Sequence, residues 1–288
     1  MSENTPLTSS TNYGWTAGFT NMLRKELGRW WNWKSLATQL VVWMLLINGM
    51  VGLVVFVVPH VTDEGLRQQI AHELTQHGIV NGPVTFDFTS ADISMMGMSM
   101  FFQISAIVMF IGAIILTHDS ILKERETGTA AWLLSKPLSR KALVISKILA
   151  NNISVMLIIL AAQGVITYAI CSVVLGRPVA VLPFLAGLGL LGLDVIFYIV
   201  MATALGTFFM SRGVALAVPI VFGLVGGELI SLWPVLARYI PWEFGHFAQG
   251  LVTGAPLSSV DFMPVAATAL WILLFIGATV WRFEKLEL

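Results

Sequence analysis

Long apolar stretches, each about as long as one bilayer crossing, dominate the chain. Six of them lie at residues 36–58, 97–117, 146–175, 179–210, 213–233 and 263–282. An α-helix needs about 20 apolar residues to cross the hydrocarbon core, because backbone amides left unpaired in lipid are too costly. The pattern therefore predicts an all-α integral membrane protein with six transmembrane helices. The third and fourth are long enough to tilt or to extend beyond the bilayer.

Composition supports a membrane location. The 288 residues are 57% hydrophobic and 11% charged, with a mean hydropathy of +0.83, whereas an ordinary soluble domain is about 25% charged. The formal net charge is zero, which gives no reason to expect a nucleic-acid partner. The single cysteine, Cys171, excludes an intramolecular disulfide and a thiolate metal cluster.

The distribution of Lys and Arg predicts the orientation. Of the 16 basic residues, 13 flank one side of the expected spans, and only Arg67, Arg177 and Arg238 flank the other. Loops rich in Lys and Arg stay in the cytoplasm. We therefore expect a multi-pass protein of the cell (plasma or inner) membrane with both termini and the 118–147 loop in the cytoplasm. The first apolar run is too long for a cleavable signal peptide.

The segments before the first span are polar or amphipathic. Residues 1–18 are rich in Ser, Thr and Asn, so we expect a disordered tail. Residues 19–35 predict an interfacial amphipathic helix that leads into a transmembrane domain over 36–288. Its expected apolar face comprises Phe19, Leu23, Leu27 and Trp30. The alternative is a plain cytoplasmic extension of the first span.

Two longer segments are expected outside the membrane. In the external loop 59–95, Pro59 ends the first span and a short polar helix is stopped by Gly78. Residues 234–262 are moderately apolar but broken by proline and glycine, which excludes one continuous helix. Interrupted short helices that re-enter the outer leaflet before the last span fit this pattern, and a surface loop is the alternative. The external histidines lack a metal-ligand spacing, so we predict no metal site.

The loop 118–147 carries the most specific sequence. It begins with a charged helix end, turns at Gly128 and Thr129, continues as an apolar stretch to Leu134 and breaks at Pro137. A short apolar face between charged flanks fits a groove on another protein better than it fits solvent.

This loop resembles the cytoplasmic loop of ABC-2 type transporter permeases. The matching residues are Glu124, Arg125, Glu126, Gly128, Thr129, Leu133, Leu134, Ser135, Pro137, Ser139, Arg140 and Lys147. Six spans, cytoplasmic termini and an interrupted segment before the last span extend the resemblance over nearly the whole chain.

The resemblance implies a transmembrane subunit that forms a homo- or heterodimer and binds ATPase subunits through a coupling helix. The residues expected to couple to the ATPase are Glu124, Glu126, Gly128, Thr129, Trp132, Leu133, Leu134, Pro137 and Arg140. ATP and Mg would lie on that partner. Independently, the chain has no G-x-x-x-x-G-K-[ST] phosphate loop. We therefore expect no catalytic residues, no enzyme activity and no cofactor in this chain.

Two acids fall inside expected spans, Asp194 near the middle of the fourth and Glu228 in the outer part of the fifth. A carboxylate at mid-bilayer costs about 2.5–3.5 kcal/mol, so each needs a cavity, a partner or a proton. Both are candidates for the translocation path. Pairing with Arg177, Arg212, a tyrosine hydroxyl or a dimer mate is the structural alternative.

These features favour an exporter permease driven by ATP from a separate subunit. Within that family, the alternative is a subunit that transmits force to an extracytoplasmic partner contacting residues 59–95. An ion-driven secondary transporter acting through Asp194 and Glu228 would predict inverted repeats, which the sequence does not show. An intramembrane enzyme lacks a nucleophile-base motif.

Overall fold

The computed structural model describes residues 18–61, 63–79, 88–123, 139–209, 211–256 and 262–285, and their regular structure is helical. In chain order the main helices are α1 (Phe19–Trp30), α2 (Trp33–His60), α3 (Glu64–Gln76), α4 (Ser90–Thr117), α5 (Arg140–Leu175), α6 (Val181–Phe209), α7 (Arg212–Leu224), α8 (Gly226–Leu232), α9 (Phe244–Val252) and α10 (Phe262–Glu284). The predicted all-α fold is confirmed.

Five of these helices, α2, α4, α5, α6 and α10, are long and apolar enough to cross a membrane. The pair α7 and α8 becomes the sixth if it is counted as one span, with a bend of 47° between its halves. The six apolar runs in the sequence therefore each correspond to a helix or a bent helix pair. By length and composition, the helices of the structure therefore agree with the six predicted spans when the bent pair is counted as one.

Polar caps set the helix boundaries that hydropathy misses. Thr89 and Asp92 form a capping box, which starts α4 seven residues before the apolar run at 97. Ser139 accepts a hydrogen bond from the backbone amide of Ala142 and starts α5 at Arg140, before the run at 146. Because side-chain oxygens satisfy the first amides of a helix, these helices continue as polar turns beyond the apolar core.

Helix α6 lies at the centre of the bundle. It packs against α4, α7, α9 and α10, and most of its apolar window is buried within the chain. One part of the core joins α6 to α2, α4, α5 and α9, and a second part joins it to α10 and to Met22 of α1. Since α6 is apolar on all sides, it is the span that lipid contacts least.

A buried polar network holds α2 against α5. The side-chain amide of Asn48 donates to Oε1 of Gln163 at 2.8 Å, and the hydroxyl of Thr167 donates to Oδ1 of Asn48 at 2.7 Å. All three side chains are buried. In an apolar environment, such paired amides fix the rotation of one helix against another.

Alternating spans give the bundle two distinct ends. We call the end that carries α1, the start of α5 and the end of α10 the clamp end. The opposite end, which carries α3 and α9, is the cavity end. The described flanks of loop 118–147, the end of α6 and the start of α7 lie at the clamp end.

The cavity end contains the interrupted segment. Residue Gly78 has a φ of 63° and stops the polar helix α3, as expected. After α8, two short 3₁₀ turns begin at Pro234 and Pro241, and α9 then packs between α4 and α6. Phe244 and Ala248 of α9 are fully buried. Interrupted helices thus replace a surface loop, because the prolines prevent a continuous helix.

A labelling experiment tests the predicted orientation. Exposed positions Gln69 on α3 and Arg24 on α1 lie at opposite ends of the bundle. A cysteine at position 69 is expected to react with an impermeant maleimide in intact cells, whereas one at position 24 reacts only after lysis. The fully buried Cys171 serves as the internal control and stays unlabelled until denaturation. Labelling of position 24 in intact cells would reverse the orientation.

Candidate functional site

A buried ion pair joins α1 to α5 at the clamp end. Nζ of Lys147 lies 3.0 Å from Oε1 of Glu26, and both side chains are more than nine-tenths buried. Nζ of the half-exposed Lys25 lies 4.0 Å from the same oxygen. Taking two charges out of water is costly, so their close contact is needed to offset the desolvation of both.

One turn further on, the same helices are joined by hydrogen bonds to Asn151. Its Oδ1 accepts from Nε1 of Trp30 at 3.2 Å and from the guanidinium of Arg29 at 3.3 Å. Residues four apart lie on one helix face, so Glu26 and Trp30 on α1 meet Lys147 and Asn151 on α5. We call these four residues the α1 clamp.

The end of α10 holds the start of α5 from a second direction. The guanidinium of Arg140 donates to the backbone carbonyl of Glu284 at 2.8 Å. Nζ of Lys141 lies 3.4 Å from the carboxylate of Glu284, and both of these side chains are partly exposed. The first turns of α5 are thereby attached to helices from both ends of the chain.

Most residues predicted to couple to an ATPase precede this point. Glu124, Glu126, Gly128, Thr129, Trp132, Leu133, Leu134 and Pro137 lie outside the described residues. Arg140 is described, and it bonds to the last turn of α10. On the other flank of the loop, Ile121 and Leu122 are buried against the bundle. The loop is therefore anchored on both flanks at the clamp end.

This arrangement attaches two helices to the start of α5. A salt bridge and hydrogen bonds in a low-dielectric environment are stiff connections between packed helices. Both α1 and α10 are connected in this way to the residues that follow the loop. We find no group of three His, Cys, Asp or Glu side chains near enough to share a metal ion, within the part of the chain that the structure describes.

The predicted translocation-path acids lie in different surroundings. Asp194 on α6 is 5% exposed and forms no hydrogen bond or ion pair with a described residue. Tyr198, one turn along, stacks on Phe110 with ring centroids 4.5 Å apart. Glu228 on α8 is exposed. Neither acid pairs with Arg177 or Arg212 among the described residues, and pairing with a dimer mate stays a prediction.

A large cavity of about 1300 Å³ opens at the cavity end between α2, α3, α4, α7, α8 and α9. Its lining includes Phe110, which stacks on Tyr198, but does not include Asp194. Glu228 is not part of the lining either. This cavity could not be predicted from the sequence, because five separated segments line it.

The α1 clamp was also missed from the sequence. Lys147 was counted as a loop cation, but it lies two turns inside α5 and is 2% exposed. The expected apolar face of α1 was centred on Leu23 and Leu27, whereas these are only partly buried and the buried stripe is Met22, Glu26 and Trp30. The sequence did contain one indication of a buried carboxylate. Glu26 is the only acid in α1, and it falls on the face opposite Arg24.

The bundle, the interrupted segment that contains α9 and the anchored flanks of the loop define a polytopic α-helical membrane protein of the transporter-subunit class. Residues 32–288 match the family described as ABC-2 family transporter protein, and the chain belongs to that family. It is also 27% identical over 168 residues to YxlG of Bacillus subtilis (strain 168), an uncharacterized transmembrane protein. That alignment covers 58% of this chain and 64% of the relative.

Proposed function

We propose that this chain is the permease subunit of an ATP-binding cassette transporter and exports a substrate with energy from a separate ATPase subunit. Loop 118–147 is the contact for that ATPase. The observation that carries the proposal is the attachment of α1 and α10 to the first two turns of α5, which form the C-terminal flank of the loop. Family membership supports the same assignment.

The α1 clamp gives the loop a mechanical role. ATP-driven movement of a docked subunit would displace the start of α5, and the Lys147–Glu26 ion pair would carry α1 with it. Because α5 also packs against α4 and α10, the displacement reaches the helices that surround α6. Packed cores switch between discrete arrangements more readily than they deform, so a small shift at one end changes the other end.

The partners follow from this role. The sequence contains no phosphate-binding loop of the usual kind, so ATP and Mg are assigned to the ATPase. A second permease subunit completes the transporter. The exposed apolar side chains of α2, including Leu45, Leu53 and Phe56, face lipid or that second subunit.

Affinity purification tests the assignment. The tagged chain, extracted in mild detergent from its native cells, is expected to bring along a nucleotide-binding protein in equal amount. After reconstitution into liposomes, the complex should hydrolyse ATP with proton and sodium gradients collapsed by ionophores. Absence of any nucleotide-binding protein, or hydrolysis that requires a gradient, would overturn the proposal.

Asp194→Asn separates this function from ion-driven transport. Asparagine keeps the shape of the side chain while it removes the charge and its insertion cost. Because ATP binds outside the membrane, we expect the variant complex to retain at least about half of the wild-type hydrolysis rate, a difference of under about 0.5 kcal/mol in barrier. An ion-driven transporter would lose its coupling group instead. Loss of hydrolysis in a folded Asp194→Asn complex would contradict the assignment.

A further inference from the structure

We propose that the large cavity at the cavity end binds lipophilic organic cations. The inference rests on the proposed function and deepens it, because it names the substrate class. It concerns a binding site that can be measured in the purified permease without the ATPase.

The size and apolar character of the cavity leave room for an amphiphile. Sites that hold drug-sized ligands usually measure about 300–1000 Å³, and this cavity, at about 1300 Å³, is large enough for such a ligand. Four methionines, Met50, Met95, Met96 and Met100, belong to the lining. Flexible thioether side chains adapt to ligands of different shapes. The lining of the cavity can therefore adapt to rigid apolar ligands of different shapes.

The polar groups of the cavity present acceptors. Side-chain amides of Gln103 and Gln249 donate to the backbone carbonyls of His77 and Gly78, respectively. One N–H of each amide is thereby engaged, and each amide oxygen remains a possible acceptor. Both glutamines are themselves lining residues. These oxygens can interact with the positive end of a ligand.

The charges around the cavity favour the same sign of ligand. Among the described lining residues, Asp92 is the only Asp or Glu, none is Lys or Arg, and His77 and His246 are the two histidines. Asp92 is exposed, and its Oδ2 accepts from Thr89, which leaves Oδ1 as the second carboxylate oxygen. The C-terminal end of α3 and the N-terminal end of α9 both lie in the lining, so the partial charges of helix ends are present with both signs and the Asp92 carboxylate sets the preference.

Aromatic rings add a third contribution. Phe88, Phe110 and Trp242 belong to the lining. The faces of aromatic rings attract organic cations, most strongly when the site excludes water. An apolar lining, oxygen acceptors and aromatic rings in one cavity select a cation whose charge is buried in an apolar body.

Two ions of the same shape and opposite charge provide the test. Labelled tetraphenylphosphonium and tetraphenylborate are titrated separately, at pH 8, onto the purified permease in nanodiscs, with empty nanodiscs as the blank. We expect saturable binding of the phosphonium with a Kd at least about tenfold lower than that of the borate. Equal binding of the two ions, tighter binding of the borate, or no saturable binding of either would overturn the proposal.

A charge placed in the lining provides the second arm. Met95→Lys puts an ammonium at a partly exposed lining position, and Leu66→Lys puts one on α3 outside the lining. Met95→Lys should weaken phosphonium binding at least about tenfold, whereas Leu66→Lys should leave it within about twofold. An equal loss of phosphonium binding in both folded variants would show that the ion binds outside this cavity. These assays contain no ATPase, so their failure leaves the ATP-driven assignment intact.

Discussion

Glu26→Leu is expected to lower the free energy of unfolding by about 3–5 kcal/mol. The substitution removes the carboxylate that lies 3.0 Å from the ammonium of Lys147, which is 2% exposed. Removing one partner of a buried ion pair costs far more than the loss of a surface ion pair. Lys147→Met should cost less, because Lys25 remains 4.0 Å from the same Glu26 oxygen. The measurement is the unfolding midpoint of the detergent-solubilised protein.

Two further variants isolate the ion pair from general damage to α5. The double variant Glu26→Leu with Lys147→Met removes both charges and should recover most of the lost stability, since an apolar pair of similar volume replaces the ions. Lys141→Met breaks the partly exposed contact to Glu284 on the same helix and should cost about 0–1 kcal/mol. A double variant no more stable than Glu26→Leu would show that the contact does not govern the stability of the clamp end.

Leu134→Asp is expected to abolish co-purification of the ATPase while the permease still inserts and folds. The resemblance places Leu134 on the apolar face of the coupling loop. A carboxylate there would have to be buried without a partner at the interface. Loss of one central apolar anchor typically costs about 2–4 kcal/mol, which weakens binding between about 30-fold and several-hundred-fold.

The matched control for that variant is Leu66→Asp. Leu66 lies on α3 at the opposite end of the bundle and is 46% exposed. The same chemical change there should leave ATPase co-purification unaltered. Both variants are compared with wild type for yield and for elution volume in detergent. Full recovery of the ATPase with Leu134→Asp would remove the loop from the interface.

The two predictions differ in how much the sequence could supply. The Leu134 prediction depends on a local sequence pattern, and the residue lies outside the described part of the chain. The Glu26 prediction depends on a contact between residues 121 positions apart. Nothing in the spacing of residues along the chain indicates which of the 16 basic residues meets Glu26.

The features that the sequence predicted well depend on interactions within one segment of the chain. Each span was found because a lipid-crossing helix must satisfy its own backbone hydrogen bonds and expose apolar side chains, and both demands are met within one segment. The prolines at 234 and 241 likewise excluded a continuous helix without any tertiary information. The helix starts at Ser90 and Arg140 were misplaced because capping by Thr89 and Ser139 outweighs hydropathy at helix ends.

By itself, therefore, the sequence determined an all-α membrane protein, its spans, its interrupted segment before α10 and its resemblance to ABC-2 permeases. Tertiary structure alone decided that Glu26 and Lys147 are buried partners, that Asp194 is buried outside the lining of the cavity and that five separated segments line that cavity. The physical reason is that hydropathy and backbone hydrogen bonding act along the chain, whereas the partner of a buried charge and the lining of a cavity depend on how helices pack.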